Sequence, residues 1–158
     1  MTQLLNSPLE VGVRVVALLT ALYPGRADIA RIVLLDHVIL HSGDFAGQSS
    51  LHPETPGRVG ELGVKRELIR DGIILMGARG LIARDMTTAG IYYSAAEDAN
   101  PFLESIDAEY LVELRARCVW AASTFGVLGD DEIRMRLSAV FGSWSEEFQW
   151  LNGQGHDG

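Results

Sequence analysis

A chain of 158 residues is long enough for one domain with its own core, or for one domain carrying a helical appendage. With 47% hydrophobic and 22% charged residues it has a globular composition, which excludes an intrinsically disordered chain. The net charge of −8 argues against a stand-alone DNA binder, because such proteins draw most of their affinity from neutralising phosphates.

Ser7-Pro8-Leu9-Glu10 predicts a helix start: Ser7 caps, Pro8 suits the first helical position, and Glu10 completes a capping box. The helix is expected to run to about Tyr23, where Pro24-Gly25 stops it. Within it only Glu10, Arg14 and Thr20 are polar, the pattern of a helix surrounded on most sides. The N-terminus lacks the basic start of a signal peptide, and Val11 to Leu22 is too short to span a bilayer. A cytoplasmic protein without a membrane segment is therefore expected.

Asp28 predicts the cap of a second apolar helix, from Ile29 to about His41, ended by Ser42-Gly43. A long loop with Gly43, Gly47, Pro53, Pro56 and Gly57 follows over residues 43–57, and loops of that length are often functional or partner-bound. His41, Asp44 and His52 are expected to anchor it through backbone hydrogen bonds. The i, i+4 spacing of His37 and His41, with Asp44 and His52 close in sequence, is also that of some metal sites, but the acidic residue of the His-Glu-x-x-His pattern is missing and two histidines do not make a site.

Thr55-Pro56 opens a third helix, expected from about Gly57 to Arg70, with Gly72 breaking or kinking it before Ile73 and Gly80 closing it as a C-cap. Two short runs of strand character follow, Leu81–Asp85 and Gly90–Ser94, joined by the turn-rich Met86–Gly90: a hairpin. Residues 94–106 are expected to return to helix, interrupted at Asn100-Pro101. Asp107 then caps a helix from Ala108 to Phe125, with Leu111, Leu114, Cys118, Ala121 or Ala122, and Phe125 on its apolar side. Cys118 is the only cysteine and is expected to be a buried structural residue. A last helix is expected from Asp130 to about Leu151, with a stripe of Ile133, Leu137, Phe141, Trp144, Phe148 and Leu151. That stripe reads either as core or, through Phe141, Trp144, Phe148 and Trp150, as a partner interface.

Three helices and a hairpin, in that order, are the order of a winged helix. The fold class is thus mainly α (α+β). A winged-helix-like core occupies residues 1–94, a C-terminal helical extension 95–152, and a flexible tail 153–158.

Residues 58–84 carry six basic residues against three acidic ones, whereas residues 97–158 carry twelve acidic against four basic. On a winged helix Arg58, Lys65, Arg66 and Arg70 would lie on the recognition helix and Arg84 on the wing, as contacts for nucleic acid or an acidic partner. The plainer reading is a solvated face, with Glu61 pairing Lys65 and Glu67 pairing Arg70 along the helix. The acidic C-terminal part suits a basic partner. No catalytic constellation is visible. Gly77-Ala78-Arg79-Gly80 lacks the lysine and spacing of a phosphate loop, and His41-Ser42-Gly43-Asp44 sets a Ser, a His and an Asp too close in sequence for triad geometry. A non-enzymatic protein without cofactor or metal is expected.

Several segments in combination carry a family resemblance: Leu5-Asn6-Ser7-Pro8-Leu9-Glu10-Val11-Gly12, Leu35-Asp36-His37 through His41-Ser42-Gly43-Asp44, Ser50-Leu51-His52-Pro53, and Gly60-Glu61-Leu62 with Arg66-Glu67-Leu68. Over about residues 5–126 the chain resembles the middle component of bacterial ABC-three-component systems, a group that includes Lamassu-like anti-phage and anti-plasmid systems. The resemblance implies an adaptor without activity of its own. Its partners would be a coiled-coil ABC ATPase, like those of chromosome maintenance and DNA repair, and an effector often bearing a nuclease, with DNA reached through the complex. The competing expectation from element order is an autonomous DNA-binding regulator.

Overall fold

The computed structural model describes residues 7–45, 47, 49–51 and 61–140. Helix α1 spans Pro8–Leu22 and opens as its sequence dictates: the Ser7 side chain accepts from the Glu10 amide at 3.2 Å. Helix α2 spans Ile29–Leu40, and the Asp28 carboxylate accepts from the Arg31 amide at 2.9 Å. Both helices are enclosed. From Arg14 to Leu19 and from Ile32 to Leu40 every residue is buried, charged ones included. A short 3-10 turn, Ser42–Phe45, follows α2.

Helix α3 spans Glu61–Ala78 without a break. The expected kink at Gly72 is absent, and the glycine has a different use. α1 makes its most extensive packing against α3, and the two backbones cross at Gly12 and Gly72. The C-terminal end of α3 is as the sequence suggested. Gly80 takes a positive φ of 76°, and the amides of Gly80 and Leu81 return to the carbonyls of Gly77 and Met76.

Strands β1 (Ile82–Thr87) and β2 (Gly90–Ala95) form an antiparallel hairpin with Ile82 opposite Ala95 and Thr87 opposite Gly90. The turn is tighter than residues 86–90 suggested. Only Thr88 and Ala89 lie outside the ladder, and the Thr87 hydroxyl accepts from the Ala89 amide. Ala27, between α1 and α2, adds an isolated bridge to Tyr93, so the hairpin gains a third edge from the first loop.

Residues 94–106 differ from expectation. Ser94 and Ala95 complete β2, and Asn100-Pro101 lies in the first turn of the short helix α4 (Ala99–Glu104), where a proline ring is tolerated, instead of interrupting a longer one. Helix α5 spans Glu109–Phe125 with Ala108, not Asp107, at the N-cap and no side-chain cap. Its inner side is the anticipated one: Leu111, Leu114, Cys118, Ala121 and Phe125 are buried. Burial pushes the Cys118 thiol well up, as expected of a structural cysteine. Helix α6 spans Asp130–Val140, with Ile133 and Leu137 fully buried. The fold is mainly helical with one small antiparallel sheet, and its apolar core runs through α1, α2, α3, α5 and α6. Among the described residues no helix is long and apolar enough to cross a membrane.

Candidate functional site

Three helices each bring one charged residue to a single buried point. Arg14 of α1 donates to both carboxylate oxygens of Asp36 of α2, at 3.0 and 3.3 Å, and the Lys65 ammonium of α3 reaches Asp36 at 3.0 Å. The Arg14 and Asp36 side chains are 4% and 3% exposed, so the pair is shielded from bulk solvent. Burial alone would raise the Asp36 pKa. The fields of Arg14 and then Lys65 outweigh it and hold the carboxyl well below the usual carboxylate range. Next to it, the His37 and His41 rings stack with centroids 4.3 Å apart. Burial first, then the Lys65 charge, pushes the His37 pKa well down, so its imidazole is neutral at pH 7.

Lys65 therefore turns inward, away from the solvent-facing basic surface its sequence position suggested; its side chain is only 13% exposed. Arg66 is half-buried, its pKa lowered by burial and by Arg70, with Asp28 and Tyr93 acting the other way. Arg70 and Arg84 are exposed. Arg84 lies opposite Tyr93 in the hairpin register, and cross-strand partners share a face. Arg66 and Arg84 thus lie beside Tyr93, and Arg70 lies close enough to Arg66 to lower its pKa. Arg58 lies outside the described residues. On the other face of the hairpin Arg26 stacks on the Tyr92 ring and pairs with Asp85.

The described part of the loop after α2 is held by a residue that sequence reasoning missed. Arg117 of α5 is 5% exposed, and its Nε and one terminal nitrogen donate to the Ser49 carbonyl at 2.9 and 2.7 Å. The Ser42 hydroxyl also donates to Ser49 O, and the Leu51 amide to Leu40 O. Gly47 lies flat on Trp120, whose indole would stand 2.7 Å from any Cβ there. His41 and Asp44 contribute a backbone bond, Asp44 N–H to His41 O at 3.0 Å. His52 lies outside the described residues. A signal for Arg117 was present: it stands between Leu114 and Cys118 on the buried side of α5, where an arginine must have a partner.

Arg31 was also missed. Its guanidinium collects the carbonyls of Phe125, Gly126 and Leu128 at 3.3, 2.9 and 2.7 Å and the Asp130 carboxylate at 2.7 Å. It gathers carbonyls at and just beyond the C-terminus of α5, where Phe125 O also accepts from the Leu128 amide, and ties them to Asp130 at the start of α6. Phe141, Trp144, Phe148 and Trp150 lie outside the described residues. No group of three or more His, Cys, Asp or Glu side chains able to hold a metal occurs among the described residues.

No curated protein and no solved structure matches the chain significantly. A family model does: residues 4–147 match the ABC-three component (ABC-3C) system Middle Component 2. With all of the described helices and the hairpin inside that match, the chain belongs to the Middle Component 2 family of ABC-three-component systems.

Proposed function

We propose that this chain is a non-catalytic adaptor subunit that joins a coiled-coil ABC ATPase to an effector in a Lamassu-like system defending against phage and plasmid DNA. The observation that carries this reading is the family match over residues 4–147, because a middle component is a part of a multi-protein system. The charge geometry agrees with it. Arg14, Asp36, Lys65, Arg31 and Arg117 each tie one element to another, which is how a rigid platform is braced. The test is co-expression with the two proteins encoded beside it, pulling on a tag on this chain. Recovery of the ATPase component, with no nucleotide hydrolysis by the isolated chain, is the expected result. An isolated chain that stays alone in that experiment removes the adaptor reading.

An autonomous winged-helix regulator is the second reading. It is favoured by the element order, by the Ala27–Tyr93 bridge and by Arg66 and Arg84 beside Tyr93. Against it, Lys65 is neutralised by Asp36, which leaves Arg66, Arg70 and Arg84 as the described basic contacts on a chain of charge −8. Gel shifts at two salt concentrations separate the readings. Tight duplex binding by the isolated chain with a steep salt slope supports the regulator. Weak binding that strengthens only with the ATPase present supports the adaptor.

A further inference from the structure

Two stripes run along opposite sides of α5. Leu111, Leu114, Cys118, Ala121 and Phe125 face the core. At about 100° per residue, Val112, Ala116, Val119 and Ser123 fall on the far side. All four are exposed, Val112 at 71% and Val119 at 59%. Their spacings of four, three and four are those of the seam by which one helix packs along another. Valine is a weak helix former, so neither local helix stability nor the core explains valines at these two positions. Ala116 and Ser123 are small enough to let a second helix approach closely.

The strip is flanked on both sides by residues tied to other elements. On one side Gly47 lies on Trp120 and Arg117 fastens Ser49. On the other, Arg115 donates to Asn100 of α4 at 2.6 Å, and Asn100 donates in turn to Glu104. The charge here is negative. Glu109 and Glu113 stand beside the seam, exposed; Glu113 lies 3.9 Å from the buried Arg117 guanidinium, whose other donors are taken by backbone carbonyls, and Arg115 is engaged by α4. Residues 97–140 carry nine acidic and four basic side chains.

We infer that the outward face of α5 is the docking site for a basic amphipathic helix of a partner protein, with apolar side chains seated on Val112, Ala116 and Val119 and lysine or arginine facing Glu109 and Glu113. The inference rests on the adaptor reading and adds to it where, and by what chemistry, the partner binds. Charge selects this occupant. A second copy would set the same acidic residues against one another. Residues 141–158 of this chain carry Glu146, Glu147 and Asp157 and no lysine or arginine, the same wrong sign.

The test uses the full chain co-expressed with the two neighbouring proteins, comparing wild type, V112E/V119E and E109Q/E113Q. Both valines are exposed and glutamate is the better helix former, so the isolated V112E/V119E chain should melt no lower than wild type. Its co-purification with the partner should fall at least about tenfold, as for the loss of a central interface contact. E109Q/E113Q should weaken assembly more at low salt than at high salt. If wild type assembles and V112E/V119E assembles equally well, the α5 site is wrong and the adaptor reading stands. If wild type does not assemble, both fall. A lowered melting temperature of isolated V112E/V119E would place the seam under another part of this chain, and a wild-type dimer that the variant abolishes would place a second copy there. Either result overturns the proposal.

Discussion

Gly12 of α1 and Gly72 of α3 face each other where the two helix backbones cross in close contact. A Cβ on Gly72 would stand 2.8 Å from the Gly12 nitrogen, and a Cβ on Gly12 would stand 3.2 Å from the Gly72 carbonyl. Overpacking of this kind costs roughly 1–3 kcal/mol, and the helix-propensity gain of alanine offsets at most about 1. G72A should therefore lower the urea midpoint at unchanged slope, since its obstacle is backbone. G12A should lower it less, because its nearest obstacle is the flexible Met76 side chain at 2.8 Å. A midpoint for G72A equal to wild type would show that the two helices can separate freely.

Asp36 sits between two buried cations, and the order of damage follows from that. Asp36→Ala removes the carboxylate that Arg14 and Lys65 share, and breaking a buried pair in this way costs about 3–5 kcal/mol. Lys65→Met leaves the Arg14–Asp36 pair whole and should cost less. Chemical denaturation of the two variants measures the difference. Equal losses would mean that the Lys65 contact matters as much as the Arg14 contact.

Acid should act on this cluster in two steps. His37 has its folded pKa pushed below its unfolded value near 6.5, so the unfolded chain takes up the proton first. Stability then falls as pH drops below about 6.5, where the unfolded imidazole protonates. The groups that set this are Lys65 on α3 and His41 and Asp36 on α2. Asp36 is shifted the same way, so its contribution is complete above an unfolded pKa of about 3.9 and is lost only in stronger acid. Replacing His37 by Gln should flatten the denaturation midpoint between pH 7 and pH 5 and leave the steeper loss below pH 4. A midpoint that still slopes between pH 7 and pH 5 in H37Q would assign the first step to another group.

Arg31 holds three carbonyls and a carboxylate with one guanidinium. Arg31→Met removes all four contacts. Hydrogen bonds to a charged group contribute about 1.5–3 kcal/mol each in favourable cases, so a loss of at least about 2 kcal/mol is expected. The amides of α6 should exchange faster than those of α1, because only α6 depends on this joint for its entry. Arg31→Lys should rescue little, since an ammonium cannot reproduce the planar fork.

Arg117 offers a local counterpart. Arg117→Met should free Ser49 and expose the chain around residues 47–51 to limited proteolysis, with cleavage there rising at least about tenfold while the helices stay protected. Cleavage spread evenly along the chain would mean instead that the substitution unfolds the domain.

Much of this fold was legible because its signals are local. Ser7-Pro8 and Asp28 start helices by capping their own first turns. Gly80 ends one by taking a positive φ, and the apolar periodicity of α5 names its own buried side. Composition, charge distribution and the order of elements are likewise properties of the chain as written. What the sequence left open are residues whose meaning depends on a partner far along the chain. Gly72 looks like a helix breaker until Gly12 is placed against it. Lys65 looks like a surface base until Asp36, on another helix, takes its charge indoors. Arg31 and Arg117 act on backbone carbonyls more than sixty residues away, and a carbonyl leaves no mark in sequence. The split has one physical cause. Capping, turn geometry and amphipathic period are settled within a few residues by local sterics and hydrogen bonding, whereas the partner of a buried charge and the closeness of two helices are settled only when the whole core closes.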